Sequence, residues 1–351
     1  MTPANTPPRL TRMSVRKVTL LGGLFIAIGP FAMALYTPAM AEVVTAYGTT
    51  SSLVKMTLTL YFAGFAAAQL IAGPLSDALG RRPIIIAFMA IFLLGSVLAL
   101  LAPTVEMLMV ARFIQGVGAS AGVAISRALV RDMFQGDDSS RIMNLMGIIL
   151  ATAPAIAPSL GGLLVIHAGW RSVFVAMFLF GLIVIAAAVW SLKETITPDR
   201  SRLNLRSLGQ SYVILARNSH FITTSLTIAG AVGAVYALAT MLPFILMQEL
   251  GLSPTQFGLG MLMQSGSFFA GSLLFRPMMR RFSAYQMVPP GLVLIAIGSV
   301  LTSTLLFGEP SFLRVMVPAA IYNCQQMLEF VALSRLEAPV FSIIVPSSRL
   351  R

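Results

Sequence analysis

The chain has 351 residues, 57% of them hydrophobic and only 10% charged, where a soluble domain carries about 25% charged residues. A water-soluble fold of this size cannot hide that much apolar surface, so the bilayer is the natural solvent and a soluble globular domain is excluded. Lys and Arg outnumber Asp and Glu by 24 to 12; in a soluble protein that surplus would suggest a nucleic-acid partner, but in a membrane chain the positions of the charges carry the meaning and no nucleic acid is expected.

A spanning helix needs about 20 mostly apolar residues. Ten such runs are expected: Val18–Met40, Leu53–Ser76, Pro83–Ala102, Val105–Val130, Ile142–Ile166, Trp170–Leu192, Phe221–Leu250, Pro254–Phe275, Gln286–Phe307 and Phe312–Leu333. They lack the apolar-out, polar-in alternation of barrel strands, so the fold class is an all-α multi-pass membrane protein. The opening stretch, MTPANTPPRLTRMSVRK, is basic and Pro-rich, and with Ala39 and Ala41 at the end of the first run it resembles a secretory signal. That run is long enough to span and many others follow, so an uncleaved first helix is expected.

Orientation follows from the short connections. Arg9, Arg12, Arg16 and Lys17 precede the first span, and Arg81 and Arg82 follow the second. Arg131 and Arg141 flank the connection after the fourth; Lys193, Arg200, Arg202, Arg206 and Arg217 fill the segment after the sixth; Arg276, Arg280 and Arg281 follow the eighth. The opposite connections hold little beyond Lys55 and Arg171 at span edges. The N-terminus is therefore expected in the cytoplasm, with residues 1–17 as a cytoplasmic tail.

The long polar segment 193–220 divides the chain into a six-span bundle, 18–192, and a second, incomplete bundle, 221–333. The halves echo each other weakly. GSLLFRPMMRR, Gly271 to Arg281, follows the eighth span as GPLSDALGRRP, Gly73 to Arg82 and Pro83, follows the second, with Phe275 where the first has Asp77. A parallel repeat of helical bundles is a common transporter plan. The tail 334–351 fits poorly: Gln325, Gln326, Glu329, Arg335 and Glu337 interrupt it, and Pro339–Pro346 is too short to span. An early ending or an altered reading frame near Tyr322 is expected.

Three stretches carry candidate chemistry. In GPLSDALGRRP, Gly80 tolerates the positive φ of a chain reversal, Gly73 permits close approach of a neighbouring helix, and Asp77 lies four residues before Arg81 at the membrane boundary, where charges can pair and unpair as gates move. The plainer alternative leaves Asp77 solvated, with Arg81 and Arg82 setting topology only. In RFIQGVGAS, Arg112 sits about two turns inside its span, where an arginine costs about 2.5–3.5 kcal/mol and should face the bundle interior, or else snorkel to the outer interface. Gln115 lies one turn on, and Gly116, Gly118 and Ala119 make that helix face thin. In APAIAPSLGG, Ala153, Ala157 and Gly161 recur at four-residue spacing with Pro154 and Pro158 between them and Gly162 following, the pattern of a thin, bent, closely packed helix.

Together these residues resemble the major facilitator superfamily: GPLSDALGRRP is similar to its signature between the second and third helices, RFIQGVGAS to its fourth-helix signature, and APAIAPSLGG to the fifth-helix signature of its drug:proton antiporters. ALYTPAM, Ala34 to Met40, and LKETITP, Leu192 to Pro198, look like the Bcr/CflA drug-resistance type. The resemblance covers residues 18 to about 322 and implies two six-helix bundles, alternating access, a small-molecule substrate, protons as the coupling ion, a monomer in the lipid bilayer of the cell inner membrane, and no cofactor. It also implies roles. The acid matching Asp77 holds the cytoplasmic side closed, through a second-half helix N-terminus and neighbouring basic residues. The arginine matching Arg112 assists proton transfer near the transport cavity, tuning a neighbour because arginine itself stays charged. The segment matching Ala153 to Gly162 seals the bundle interface against leak. Ala157 stands where the family often has glycine, and Ala34 where the subgroup commonly has an acid two residues before the tyrosine. Glu106, Asp77 and Glu249 lie only at span ends, Glu329 lies in the atypical tail, and His167 is expected to be solvated, so no proton carrier is assigned.

Tyr36, Tyr61, Gln69, Met146, Tyr236 and Met241 are candidates for an apolar cavity with a few polar groups; plain helix packing is the alternative for each. Ser253, Pro254 and Gln256 are expected to cap a helix. Phosphate loops, metal clusters and nucleophile–base pairs are lacking in the sequence, so an enzyme is not expected. The function expected is export of drugs or other small amphipathic molecules in exchange for protons. A sugar, amino acid or nucleoside exporter on the same fold, or a non-transporting remnant, remains compatible with the same residues.

Overall fold

A computed structural model describes residues 13–134, 136–199, 205–282, 284–309, 311–322 and 324. Among these every regular element is helical. The first, α1 (Val15–Tyr36), runs into a 3-10 turn at Thr37–Ala39 and continues as α2 (Met40–Tyr47). There follow α3 (Ser51–Leu79), α4 (Arg81–Leu101), α5 (Val105–Met133), α6 (Gly136–Ala168) and α7 (Ser172–Ser191). After the linker come α8 (Leu205–Arg217), α9 (Ser219–Pro243) with a π-helical turn at Phe244–Glu249, α10 (Pro254–Arg281), α11 (Ala284–Ser303) with a 3-10 turn at Thr304–Phe307, and α12 (Phe312–Tyr322).

Local chemistry fixes the starts. Ser14, Thr50, Thr104 and Asn218 place side-chain oxygens on the free backbone donors of α1, α3, α5 and α9. Ser253 and Gln256 satisfy each other reciprocally at the head of α10, at 3.3 and 2.9 Å, as expected. Val15–Tyr47, α3, α4, α5 and α7 are long and apolar enough to cross a membrane.

The expected first span, Val18–Met40, is corrected at its end: Pro38 sits in the 3-10 turn, and the helix resumes to Tyr47 with Ala39 and Met40 fully buried. The run Phe221–Leu250 is likewise not one α-helix, because the register widens at Phe244. The polar linker holds α8, which hydropathy alone did not indicate.

The chain forms two compact units. One takes in the chain to Ala157 and Leu164–Asn204; the other takes in Pro158–Leu163 and the chain from Leu205. In the first, α5 is the central post, packed against α1, α3 and α4, with α7 against α4. Glycines set its closeness. A Cβ on Gly116 would overlap the Tyr61 carbonyl, one on Gly118 the Phe92 backbone, and one on Gly122 the Phe25 carbonyl, as small-residue helix packing requires in lipid. In the second unit, Leu242, Leu246, Phe257, Met261, Val315 and Met316 make a core from α9, its π turn, α10 and α12. The Tyr322 hydroxyl pairs with Ser299 Oγ at 2.6 Å, tying α12 to α11.

Candidate functional site

Arg81 opens α4 and is almost fully buried, at 2% exposure. Its guanidinium reaches three side chains. Nη2 lies 2.5 Å from Asp77 Oδ1 at the end of α3, Nε donates to Asp132 Oδ2 at 3.0 Å in the last turn of α5, and Nη1 donates to Ser76 Oγ at 2.5 Å. A cation this far from water is stable only because carboxylates from two helices face it. Thr195 Oγ1 adds a hydrogen bond to Asp132 Oδ2 at 3.0 Å.

Glu194, just past α7, completes this cluster. Its carboxylate accepts from the backbone N–H groups of Arg81 at 2.9 Å, Arg82 at 3.2 Å and Thr195 at 3.2 Å. The first two are orphan donors at the start of α4, so Glu194 caps that helix and meets the positive end of its dipole. Gly80 is required twice over. Its φ of 105° with ψ of 150° suits glycine, and a Cβ there would lie 2.6 Å from Glu194 Oε2. Arg82 is exposed and donates to the Val189 carbonyl at 2.6 Å.

These contacts speak against the plainer alternative for Arg81 and revise the expectation for Gly73. Arg81 is no simple topology marker, because it is buried and doubly paired. Gly73 is not a close-approach point: a Cβ there meets open space among the described residues, though its carbonyl accepts from Ser76 Oγ at 2.8 Å. Glu194 is the acid that caps α4, while Asp77 is held by Arg81.

Deeper in the same unit, Arg112 on α5 is fully buried, on the interior side that its charge demands. It is held without any described carboxylate. Its guanidinium lies between the Tyr36 and Tyr61 rings, 4.6 and 4.4 Å from their centroids. Nη1 donates to Gln115 Oε1 and lies 3.9 Å from Met177 Sδ, while Nε and Nη2 have no protein partner among the described residues. Gln115 Nε2 donates to Ser96 Oγ at 2.8 Å. Both rings are tethered: Tyr36 pairs with Thr57 Oγ1 at 3.1 Å, and Tyr61 donates to the Gly29 carbonyl at 2.9 Å. The result is a fixed positive charge caged by α1, α3, α5 and α7, with spare donors.

The remaining expected residues fall elsewhere. Met146 is buried against Gly22 on α1, and Gln69 is half-buried on α3. Tyr236 is half-buried and Met241 44% exposed, both in the second unit. Ala153 and Pro154 lie on α6, with their side chains outside the described set. Ala157, Pro158, Gly161 and Gly162 are buried. In the second unit, Ser159 Oγ donates to the Gly258 carbonyl at 2.9 Å, and a Cβ on Gly162 would overlap the Pro254 carbonyl, so the segment meets the first turns of α10. Side chains from Phe275 to Arg280, and the chain beyond Cys324, lie outside the described residues.

Asp132, Glu194 and Thr195 escaped the sequence reading. LKETITP flagged the last two as a signature without a mechanism. Asp132 carried no signal, because its partner lies 51 residues away.

A family model described as Major Facilitator Superfamily matches residues 11–334. The chain belongs to the Major Facilitator Superfamily. Among curated relatives, an uncharacterized MFS-type transporter of Bacillus subtilis is 33% identical over 266 residues, covering 72% of this chain and 65% of that protein. A chloramphenicol resistance protein of Pseudomonas aeruginosa is 32% identical over 250 residues, covering 71% of this chain and 58% of that protein. The chain thus spans less than two thirds of the length of either relative. Others are named multidrug and bicyclomycin resistance proteins, in keeping with the Bcr/CflA drug-resistance type. The crystal structure of a bacterial homologue of the human lysosomal transporter Spinster, inward-facing and unoccupied, matches with a TM-score of 0.71 at 17% identity, over 94% of this chain and 78% of that one; it supports the major facilitator fold.

Proposed function

We propose that the chain is a secondary active transporter of the inner membrane that exports drugs or other small amphipathic molecules in exchange for protons by alternating access. The N-terminus and the basic connections face the cytoplasm, following the excess of Lys and Arg there. The linker 193–220 joins a bundle of 18–192 to one of 221–333, and the chain works as a monomer.

The observation that carries this reading is the Arg81 cluster. Two carboxylates from separate helices, joined on one buried cation at the basic end of the first unit, form a contact whose breaking is costly unless new partners are offered. Such a contact suits a gate that rests in one state and yields to another. Arg112 supplies a permanent charge within the same unit, and Tyr36 and Tyr61 are its immediate neighbours rather than isolated cavity residues. Gln69 and Met146 in the first unit, and Tyr236 and Met241 in the second, are each retained as candidate substrate contacts. The name of the chloramphenicol resistance relative supports a drug-like cargo.

Everted membrane vesicles carrying the chain test this reading. Uptake of labelled chloramphenicol that stops when a protonophore collapses the pH gradient is the expected result. Uptake indifferent to the gradient would remove proton exchange. Uptake of a sugar or nucleoside alone would change the cargo, and no uptake of any compound would leave a non-transporting chain.

A further inference from the structure

The linker helix α8 (Leu205–Arg217) differs in kind from the spanning helices. Plotted at 3.6 residues per turn, Leu205, Gly209, Tyr212, Val213 and Ala216 fall on one arc. Arg206, Gln210 and Arg217 fall on the arc beside it. Leu208 and Leu215, on the other flank of the apolar arc, are half-buried, whereas Val213 is 50% exposed and Arg217 is exposed. Among the described side chains the helix keeps Leu208, Ser211 and Leu215 half-buried and leaves Tyr212, Val213, Ile214 and Arg217 exposed.

The ends of the linker fix its depth. It leaves α7 three residues after Trp190, which is 83% exposed at the end of an apolar helix, as aromatic residues at the headgroup level are. At the other end only Asn218, the cap of α9, separates Arg217 from the next long apolar helix. So α8 cannot stand far from the membrane surface. The linker's charged residues, Lys193, Glu194, Asp199, Arg200, Arg202, Arg206 and Arg217, give five positive against two negative charges. A basic, amphipathic helix of this kind, too polar to insert and too apolar for free solution, lies in the interface plane and favours anionic lipid.

We propose that α8 is a membrane-surface helix whose Val213 edge enters the headgroup region of the cytoplasmic leaflet and whose exposed Arg217, within a linker rich in basic residues, engages anionic phospholipid headgroups. The assignment of leaflet rests on the orientation proposed above; the contact with lipid does not.

The full chain with Cys324→Ser and Val213→Cys, labelled with an environment-sensitive fluorophore and placed in nanodiscs, tests it. In discs containing phosphatidylglycerol the emission is expected to shift to the blue and brominated lipid chains to quench it; in pure phosphatidylcholine discs both effects weaken. Arg206→Glu with Arg217→Glu abolishes the difference between the two lipids, and the Lys pair restores it. A label equally open to an aqueous quencher in both discs would overturn the proposal, as would equal burial in both, which would mean apolar contact without headgroup recognition. Nanodiscs expose both faces, so this result is independent of orientation. Labelling of the same cysteine by an impermeant thiol reagent from outside intact cells would overturn the orientation alone.

Discussion

Arg81 and Arg112 are both withdrawn from solvent, yet they are held in opposite ways. Arg81 sits at the end of the first unit with carboxylates from α3 and α5 on its nitrogens. Arg112 lies within α5 with two aromatic faces, an amide and a thioether, and no described acid. A paired cation has opposite charges that are stranded when it leaves. A caged cation strands nothing ionic. The first arrangement suits a contact that is made and broken, the second a charge that stays constant.

Replacing each arginine by methionine is the strongest way to break this comparison. Arg81→Met leaves Asp77 and Asp132 uncompensated and is expected to cost up to about 3–5 kcal/mol, lessened by the water that reaches the one-third exposed Asp77, read as a fall in apparent melting temperature in detergent. Arg112→Met removes a buried charge without orphaning an acid, so its melting temperature should hold or rise. Equal falls would show that the two sites are not distinct.

Gly80→Ala comes next, at about 1–3 kcal/mol for a side chain held at positive φ. Because the new Cβ also meets Glu194, the double variant with Glu194→Ala should lose less than the sum of the single losses. Additive losses would assign the whole effect to backbone strain.

Tyr61→Leu sharpens the other side. Losing one face of the cage should cost about 0.5–2 kcal/mol, and the loss should shrink in the Arg112→Met background. An unchanged loss there would mean that the ring matters for packing and not for the charge. The smallest effect is expected for Glu194→Gln, about 0.3–1 kcal/mol for a charge at a helix N-terminus, seen as faster hydrogen exchange at the Arg81 and Arg82 amides. Unchanged exchange would remove Glu194 as the cap of α4.

Much of the fold was legible because lipid leaves few options. Long apolar runs must be helices, and runs such as Val105–Val130 match α5 within a few residues. Arg112 was legible for the same reason: a charge inside an apolar run has to turn inward, and Gln115 one turn away is its partner. The helix α8 was hidden because its pattern is amphipathic rather than apolar. The Arg81 cluster was half legible. Asp77 and Arg81 share a turn of chain, but Glu194 meets Arg81 across 113 residues, and one sequence holds no sign of such pairings. Gly73 misled because a glycine in a motif suggests tight packing, while no described residue comes within 4 Å of a Cβ placed there.

The glycines along α5 have a mechanical consequence. Where backbones of Tyr61, Phe92 and Phe25 rest directly on Gly116, Gly118 and Gly122, side-chain rotation cannot absorb displacement, since there are no side chains between the mainchains to rotate. Sliding or tilting one of these helices would drive peptide groups into each other. The first unit is thereby built to transmit force rather than to yield, and whatever compliance a working cycle needs must come from segments without such seams.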